Sequence, residues 1–124
     1  MALAVVRAGR RAAERLMVAV VLVERPTGVP DPLTGQPSFE VVYEGRGKVQ
    51  SFRSYESSRE VGGATVTDAR REVHVPWSAG PFRIGDVVTV VESPTQPHLV
   101  GQRFRVAFPD EKTLQTAQRL LVDQ

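Results

Sequence analysis

The residues of this chain that could do chemistry are few. There is no cysteine, which excludes a thiol nucleophile, a zinc–thiolate site and a disulfide framework. His74 and His98 are the only histidines, both isolated, and no metal-ligand spacing accompanies them. No phosphate loop, nucleophile elbow or dinucleotide fingerprint is present. The expectation is therefore a protein that is not an enzyme, with no metal and no cofactor. What remains is arginine. Fourteen of the sixteen basic residues are Arg, the others being Lys48 and Lys112, and the formal net charge is only +2. Each guanidinium is a planar fork suited to phosphate or carboxylate. Their spread over the whole chain also fits the codon usage of a high-G+C genome.

One stretch concentrates both charge and flexibility: REVGGATVTDARREVHVPW, residues 59–77. It ends as a strand, with Val73, Val75 and Trp77 alternating with Glu72, His74 and Pro76. Before that strand, Gly62 and Gly63 sit beside Thr65, Thr67, Asp68, Arg70 and Arg71. Such a long segment without structure of its own is uncommon in a compact domain and is usually functional or disordered. His74 belongs on the polar face of its strand. Trp77, the only tryptophan, follows a strand-breaking proline and reads as a core or interface anchor.

The elements that would position these residues follow from periodicity. The 124 residues fit one domain. Residues 3–16 read as a helix, with Val5, Val6, Ala12, Ala13 and Leu16 on one side and Arg7, Arg10, Arg11 and Arg15 on the other. That arginine stripe is a solvated face, or a docking face for an acidic partner or nucleic acid. LMVAVVLV, residues 16–23, is too short to span a bilayer and reads as a strand apolar on both faces, central or covered by the helix. No small-x-small cleavage site follows it, so a signal peptide is not expected and a soluble intracellular protein is. Residues 26–37, with four prolines and two glycines, read as a stiff exposed loop.

Phe39, Val41 and Tyr43 alternate with Glu40, Val42 and Glu44 as the next strand, and Gly45 and Gly47 suggest a bulge or bend before it continues to Phe52. Phe82 and Ile84 are expected to pack inward before a Gly85–Asp86 turn. VVTVVE, residues 87–92, is a strand; Phe104, Val106 and Phe108 mark another, stopped by Pro109. The tail suits helix at Leu114, Ala117 and Leu121, or strand at Leu120 and Val122. The sum is a mainly β single domain, residues 1–124: a helix over 1–16, then a small antiparallel β-barrel of about six strands with a long inter-strand loop near 54–71.

Five stretches in order resemble a known family: the Arg-rich amphipathic start, DPLTG at 31–35, VYEGRGKVQ at 42–50, VGGATVTDARREVHVP at 61–76 and IGDVVTV at 84–90; the ending PHLVGQRFRV at 97–106 also fits, as does AQRLLVD after it. Together they are similar to the head-tail connector proteins of tailed bacteriophages, and in particular to the head-closure, or head-to-tail stopper, proteins of long-tailed phages of high-G+C bacteria. The resemblance implies a virion protein of the phage neck, assembled in the host cytoplasm. It implies a ring of copies, sixfold or twelvefold, with adaptor and portal above, tail terminator and tail tube below, and double-stranded DNA passing through. No membrane is involved.

In related stoppers a long loop between two barrel strands gates the channel, and by position residues 54–71 correspond to it. Arg53, Arg59, Arg70 and Arg71 would then face DNA, with Gly62 and Gly63 as hinges. Arg7, Arg10, Arg11, Arg15, Asp31 and Trp77 would meet partners. A ring turns each arginine into a circle of charge whose phosphate contacts are blind to sequence. Against four basic residues stand Glu56, Glu60 and Asp68, so residues 53–71 carry a net +1 that need not hold DNA tightly. The alternatives are an adaptor or tail-terminator subunit of the same neck, or a free barrel that binds single-stranded nucleic acid. The last wants exposed aromatic platforms, whereas most aromatics here alternate as if buried.

Overall fold

The computed structural model describes residues 2–53, 59–61, 64–66, 69–110, 115 and 117–123. Helix α1, Ala2–Arg15, is followed by β1 (Ala19–Pro30), β2 (Pro37–Arg53), β3 (Arg59–Val61), β4 (Ala64–Val66), β5 (Ala69–Pro76), β6 (Val87–Glu92), β7 (Arg103–Asp110) and β8 (Ala117–Asp123). Six strands pair antiparallel in the order β1-β2-β5-β8-β7-β6, and β6 pairs back onto β1, so the sheet closes on itself. β3 and β4 form a separate two-stranded sheet inserted between β2 and β5. The ambiguous tail is a strand. The segment expected to lack structure carries this hairpin, because the β-propensity of Thr65 and Val66 is satisfied by Arg59–Val61 of the same chain.

The interior follows the period-2 rule. Val21, Val23, Val73, Val75, Val88, Val106 and Leu120 are fully buried, with Phe104, Val90 and Phe82 among them. Each such side chain contributes about 1.5–3 kcal/mol by leaving water. The inside of the closed sheet is therefore occupied by one continuous cluster of these side chains. At one end the interior is capped by Arg25. In phase with Val21 and Val23, it reaches the carboxylate of Asp86, which is 1 % exposed, at 2.9 Å through Nε. At the other end Arg71, in phase with Val73 and Val75, lies over the Phe104 ring at 5.2 Å and donates to Gln102 Oε1 at 3.2 Å.

β2 changes neighbours at Gly47, which pairs with Ala19 of β1, while Lys48 pairs with His74 of β5. A Cβ on Gly47 would stand 2.9 Å from Val21 Cγ2 and 3.3 Å from the His74 carbonyl, so the corner needs glycine for its close approach. The bulge or bend expected at Gly45 and Gly47 does not interrupt the strand: the register with β1 runs unbroken from Gly47 to Tyr43, and the bulge lies further back.

Beyond this body β1 and β2 continue as a two-stranded arm, closed by the turn at residues 31–36. Much of the proline-rich segment expected as loop is thus strand, up to Pro30 and again from Pro37. Proline is tolerated here because the arm has no third strand to which Pro26 and Pro30 would owe an N–H.

β1, whose double-sided apolar pattern called for a central place or for cover by the helix, is central, between β2 and β6. The helix rests against β5 and β8. The residues it partly buries are Val6, Gly9, Arg10, Ala13 and Glu14, a stripe at helical spacing. Val5 and Leu16, expected on the packed side, are 74 % and 62 % exposed.

Candidate assembly interface

The described surface residues that could meet a partner fall on the arm and the helix. The arm owes its character to one extra residue. Val23 pairs with Tyr43 but Glu24 pairs with Val41, so Val42 is a bulge. A bulge reverses which face the following residues occupy. Tyr43 and Val42 pack on the core, whereas Val41 (61 % exposed) and Phe39 are turned outward. The sequence pattern had placed Phe39, Val41 and Tyr43 on one face. The same event recurs in β7, where Ala107 is bulged between Val106, paired with Val122, and Phe108, paired with Leu121. Phe108 is consequently exposed rather than in line with Phe104 and Val106. Ile84 is exposed too, against expectation, while Phe82 is buried and meets Tyr43 edge-on at 6.4 Å between ring centres.

The arm is fastened to the body at its base. Asp86 Oδ2 accepts Arg25 Nη2 at 3.0 Å and the Arg83 backbone N–H at 2.8 Å, and the same Nη2 donates to the Pro81 carbonyl. The hydrogen bond to Asp86, opposed by burial and aided by the charges of Asp86 and Glu40, holds the Arg25 guanidinium above its ordinary pKa. Tyr43 donates to the Arg46 carbonyl at 2.7 Å, and burial pushes its phenol up. At the tip Asp31 is committed to the turn: its Oδ1 accepts the Leu33 N–H and its carbonyl accepts the Gly35 N–H, both at 2.8 Å. Leu33 itself is left 93 % exposed.

On the helix the expected arginine stripe splits. Arg7, Arg11 and Arg15 are exposed. Arg10 is not on that outer face: its guanidinium lies 3.8 Å from the centre of the Trp77 ring and its Nε donates to the Gln115 carbonyl at 3.0 Å. Trp77 keeps 43 % exposure, and the corner that carries it is held by Gln118, which donates to the Trp77 and Ala79 carbonyls. Arg10 and Trp77 thus dock the helix onto its own sheet.

Of the residues expected to face DNA, Arg71 is engaged internally with Phe104 and Gln102. Arg53 ends β2, Arg59 begins β3 and Arg70 lies in β5. Their side chains, together with Gly62, Gly63, Tyr55, Glu56, Thr67 and Asp68, lie outside the described residues. Among the described residues no group of three potential metal ligands converges, and no helix is long and apolar enough to cross a membrane. His74 Nε2 sits 2.8 Å from Glu72 Oε2 on the outer face of β5.

Sequence reasoning missed Arg25. The signal was available: Arg25 continues the inward phase of Val21 and Val23, and a charge in that phase must find a buried partner. Arg71 carried the same signal two residues before Val73.

A family model described as a family of unknown function (DUF6093) matches residues 9–123. No curated protein matches the chain.

Proposed function

The chain belongs to that family of unknown function, and within it we propose a structural role: a head-to-tail stopper or connector subunit of a tailed phage. In this reading the subunit is a small β-barrel that forms a ring in the virion neck, closes the DNA channel and joins head to tail. The observation that carries the reading is the β3–β4 hairpin, a separate sheet inserted between β2 and β5. By sequence position it corresponds to the channel loop of the stopper proteins that the sequence resembles.

Two further features support it. The subunit's interior is filled by side chains, so a channel has to lie between copies. The arm, meanwhile, exposes Val29, Leu33, Phe39 and Val41, more apolar surface than a solitary small domain usually shows on one projection. Arg53, Arg59 and Arg70, around Gly62 and Gly63, are the candidates to face double-stranded DNA. Arg71 drops out because its charge is spent inside the sheet. Contacts from a circle of such arginines would be non-specific and salt-sensitive, which suits a channel that must also release its genome.

Electron microscopy of the protein with portal, adaptor and tail tests this. The expected outcome is a ring at the neck with residues 59–66 toward the axis. Subunits away from the neck would overturn it; density above or below the stopper level would favour the adaptor or tail-terminator alternative. Replacing residues 59–66 by a short turn should leave the closed sheet folded and let packaged DNA escape.

A second reading gains from one observation. Phe39, Trp77 and Phe108 are exposed, and Arg103 and Arg10 lie over the first two rings, so exposed aromatic platforms of the kind a single-strand binder uses are present. Because Trp77 is the only tryptophan, its fluorescence reports directly. Salt-sensitive quenching by an oligo-dT strand, from a protein that stays monomeric, would favour this free binding module over the connector.

A further inference from the structure

β2 carries an unpaired edge in its second half. From Lys48 to Arg53 it pairs with β5 on one side. On the other side β1 would be its neighbour, but β1 begins only at Ala19, opposite Gly47, because the chain upstream has turned away into α1. No described strand takes that place. The edge opens on a groove of about 560 Å3, walled by Lys48–Ser51 on one side and by Ser93, Thr95 and Gln96 after β6 on the other. Leu16 and Val18, both exposed, stand at its end, and Val49 lies beneath. Arg15 and Lys48 line it and make no ion pair among the described residues. The groove is thus the shape of a missing strand, apolar below and basic at the rim.

The arm has the complementary features. Before Val42, β2 pairs only with β1, so its outer edge is open as well. Along it Phe39 and Val41 point one way and Glu40 the other, an apolar–acidic–apolar strand. The opposite edge of the arm is blocked, since Pro26 and Pro30 offer no N–H.

We infer that residues Ser38–Val42 on the arm of one copy add as a strand to Lys48–Arg53 of the next copy, filling the groove. Phe39 and Val41 then cover Val49, Leu16 and Val18, and Glu40 emerges beside Arg15 and Lys48. Main-chain hydrogen bonds supply the adhesion and the alternating side chains the register. Donor and acceptor lie at different places on the surface, so the contact is heterologous and copies follow head to tail, which is how rings are generated. The inference deepens the connector reading by naming the contact between subunits, and it rests on that reading for the identity of the neighbour.

The absence of cysteine makes the test clean. Full-length Val41→Cys and Ser51→Cys variants are mixed under mild oxidation. A mixed disulfide dimer is expected, and a ladder of covalent multimers from the double variant. Lys48→Glu with Arg15→Glu should lower cross-linking about tenfold, and Glu40→Lys in the other copy should restore it. Cross-links confined to Val41→Cys homodimers would overturn the inference, as would a chain that sediments as a monomer up to its solubility limit. A ring seen at the neck without the mixed disulfide sinks this contact and leaves the connector reading standing. The mixed disulfide in a protein absent from the neck sinks the connector reading and leaves the contact.

Discussion

The closed sheet and the arm are made from the same two strands, yet they obey opposite rules. Val21 and Val23 of β1 are fully buried, while Val29, six residues on, is 66 % exposed. Val49 of β2 is buried and Val41 of the same strand is not. In the body the sheet closes on itself and each strand has an inward face, and alternation decides which side chains leave water. In the arm there are two strands and no inside. The bulge at Val42 marks the border, and it turns an apolar face that would otherwise continue the core into a surface. The molecule thus separates what holds it together from what it presents.

That separation predicts its largest effect at Phe104. Truncation of this ring, 1 % exposed and in contact with the core valines, should cost about 3–5 kcal/mol in urea unfolding, most of a small domain's stability. A loss below about 1 kcal/mol would mean that the closed sheet is not packed as described. The next largest effect belongs to the joint between the two regions. Arg25→Met leaves the Asp86 carboxylate buried and unpaired, at a cost of about 3 kcal/mol. Adding Asp86→Leu should recover much of that loss. If the two substitutions simply add, Arg25 and Asp86 are not coupled and the arm is anchored elsewhere.

The corner at Gly47 tests the body from the other side. Gly47→Ala forces a methyl against Val21 and the His74 carbonyl and should cost about 1–3 kcal/mol. The same substitution at Gly28, in the arm, meets nothing within 4 Å. Its cost there is backbone strain alone, because φ is +77°. Val21→Ala should relieve part of the Gly47→Ala loss and none of the Gly28→Ala loss; no relief at Gly47 would erase the distinction.

Where the sequence was legible, and where it was not, follows the same border. The helix over residues 3–16 and the strand over 87–92 were readable because nothing interrupts their period. The strand content of 26–30 was not, since prolines that forbid a central strand are harmless on a two-stranded ribbon. Phe39, Val41 and Phe108 were assigned to the wrong face because a bulge adds a residue without leaving a mark in composition. Of the expected partner residues, Arg7, Arg11 and Arg15 are on the surface as read, whereas Arg10 had to be seen against Trp77. A cation over an indole brings together residues far apart in sequence, which no local pattern encodes. Its contribution should be modest: Arg10→Gln is expected to cost about 0.5–1 kcal/mol and to shift Trp77 emission as the ring is uncovered.

The smallest expected effect is the most discriminating. Phe108→Ala makes the same chemical change as Phe104→Ala, four residues further along β7. The two lie in one alternating run, and without the bulge at Ala107 both rings would enter the core. With it, Phe108 is 53 % exposed, so its loss should leave stability within about 0.5 kcal/mol of the parent. Phe39→Ala should be as mild, its ring being on the outer face of the arm with Arg103 5.7 Å away. The expected signature is therefore a pair of aromatic truncations that spare the unfolding midpoint, beside a third that nearly abolishes the fold. Were Phe108→Ala to cost as much as Phe104→Ala, β7 would have to run without its bulge, and the division between a sealed body and a presenting surface would fail at the strand where it is most sharply drawn.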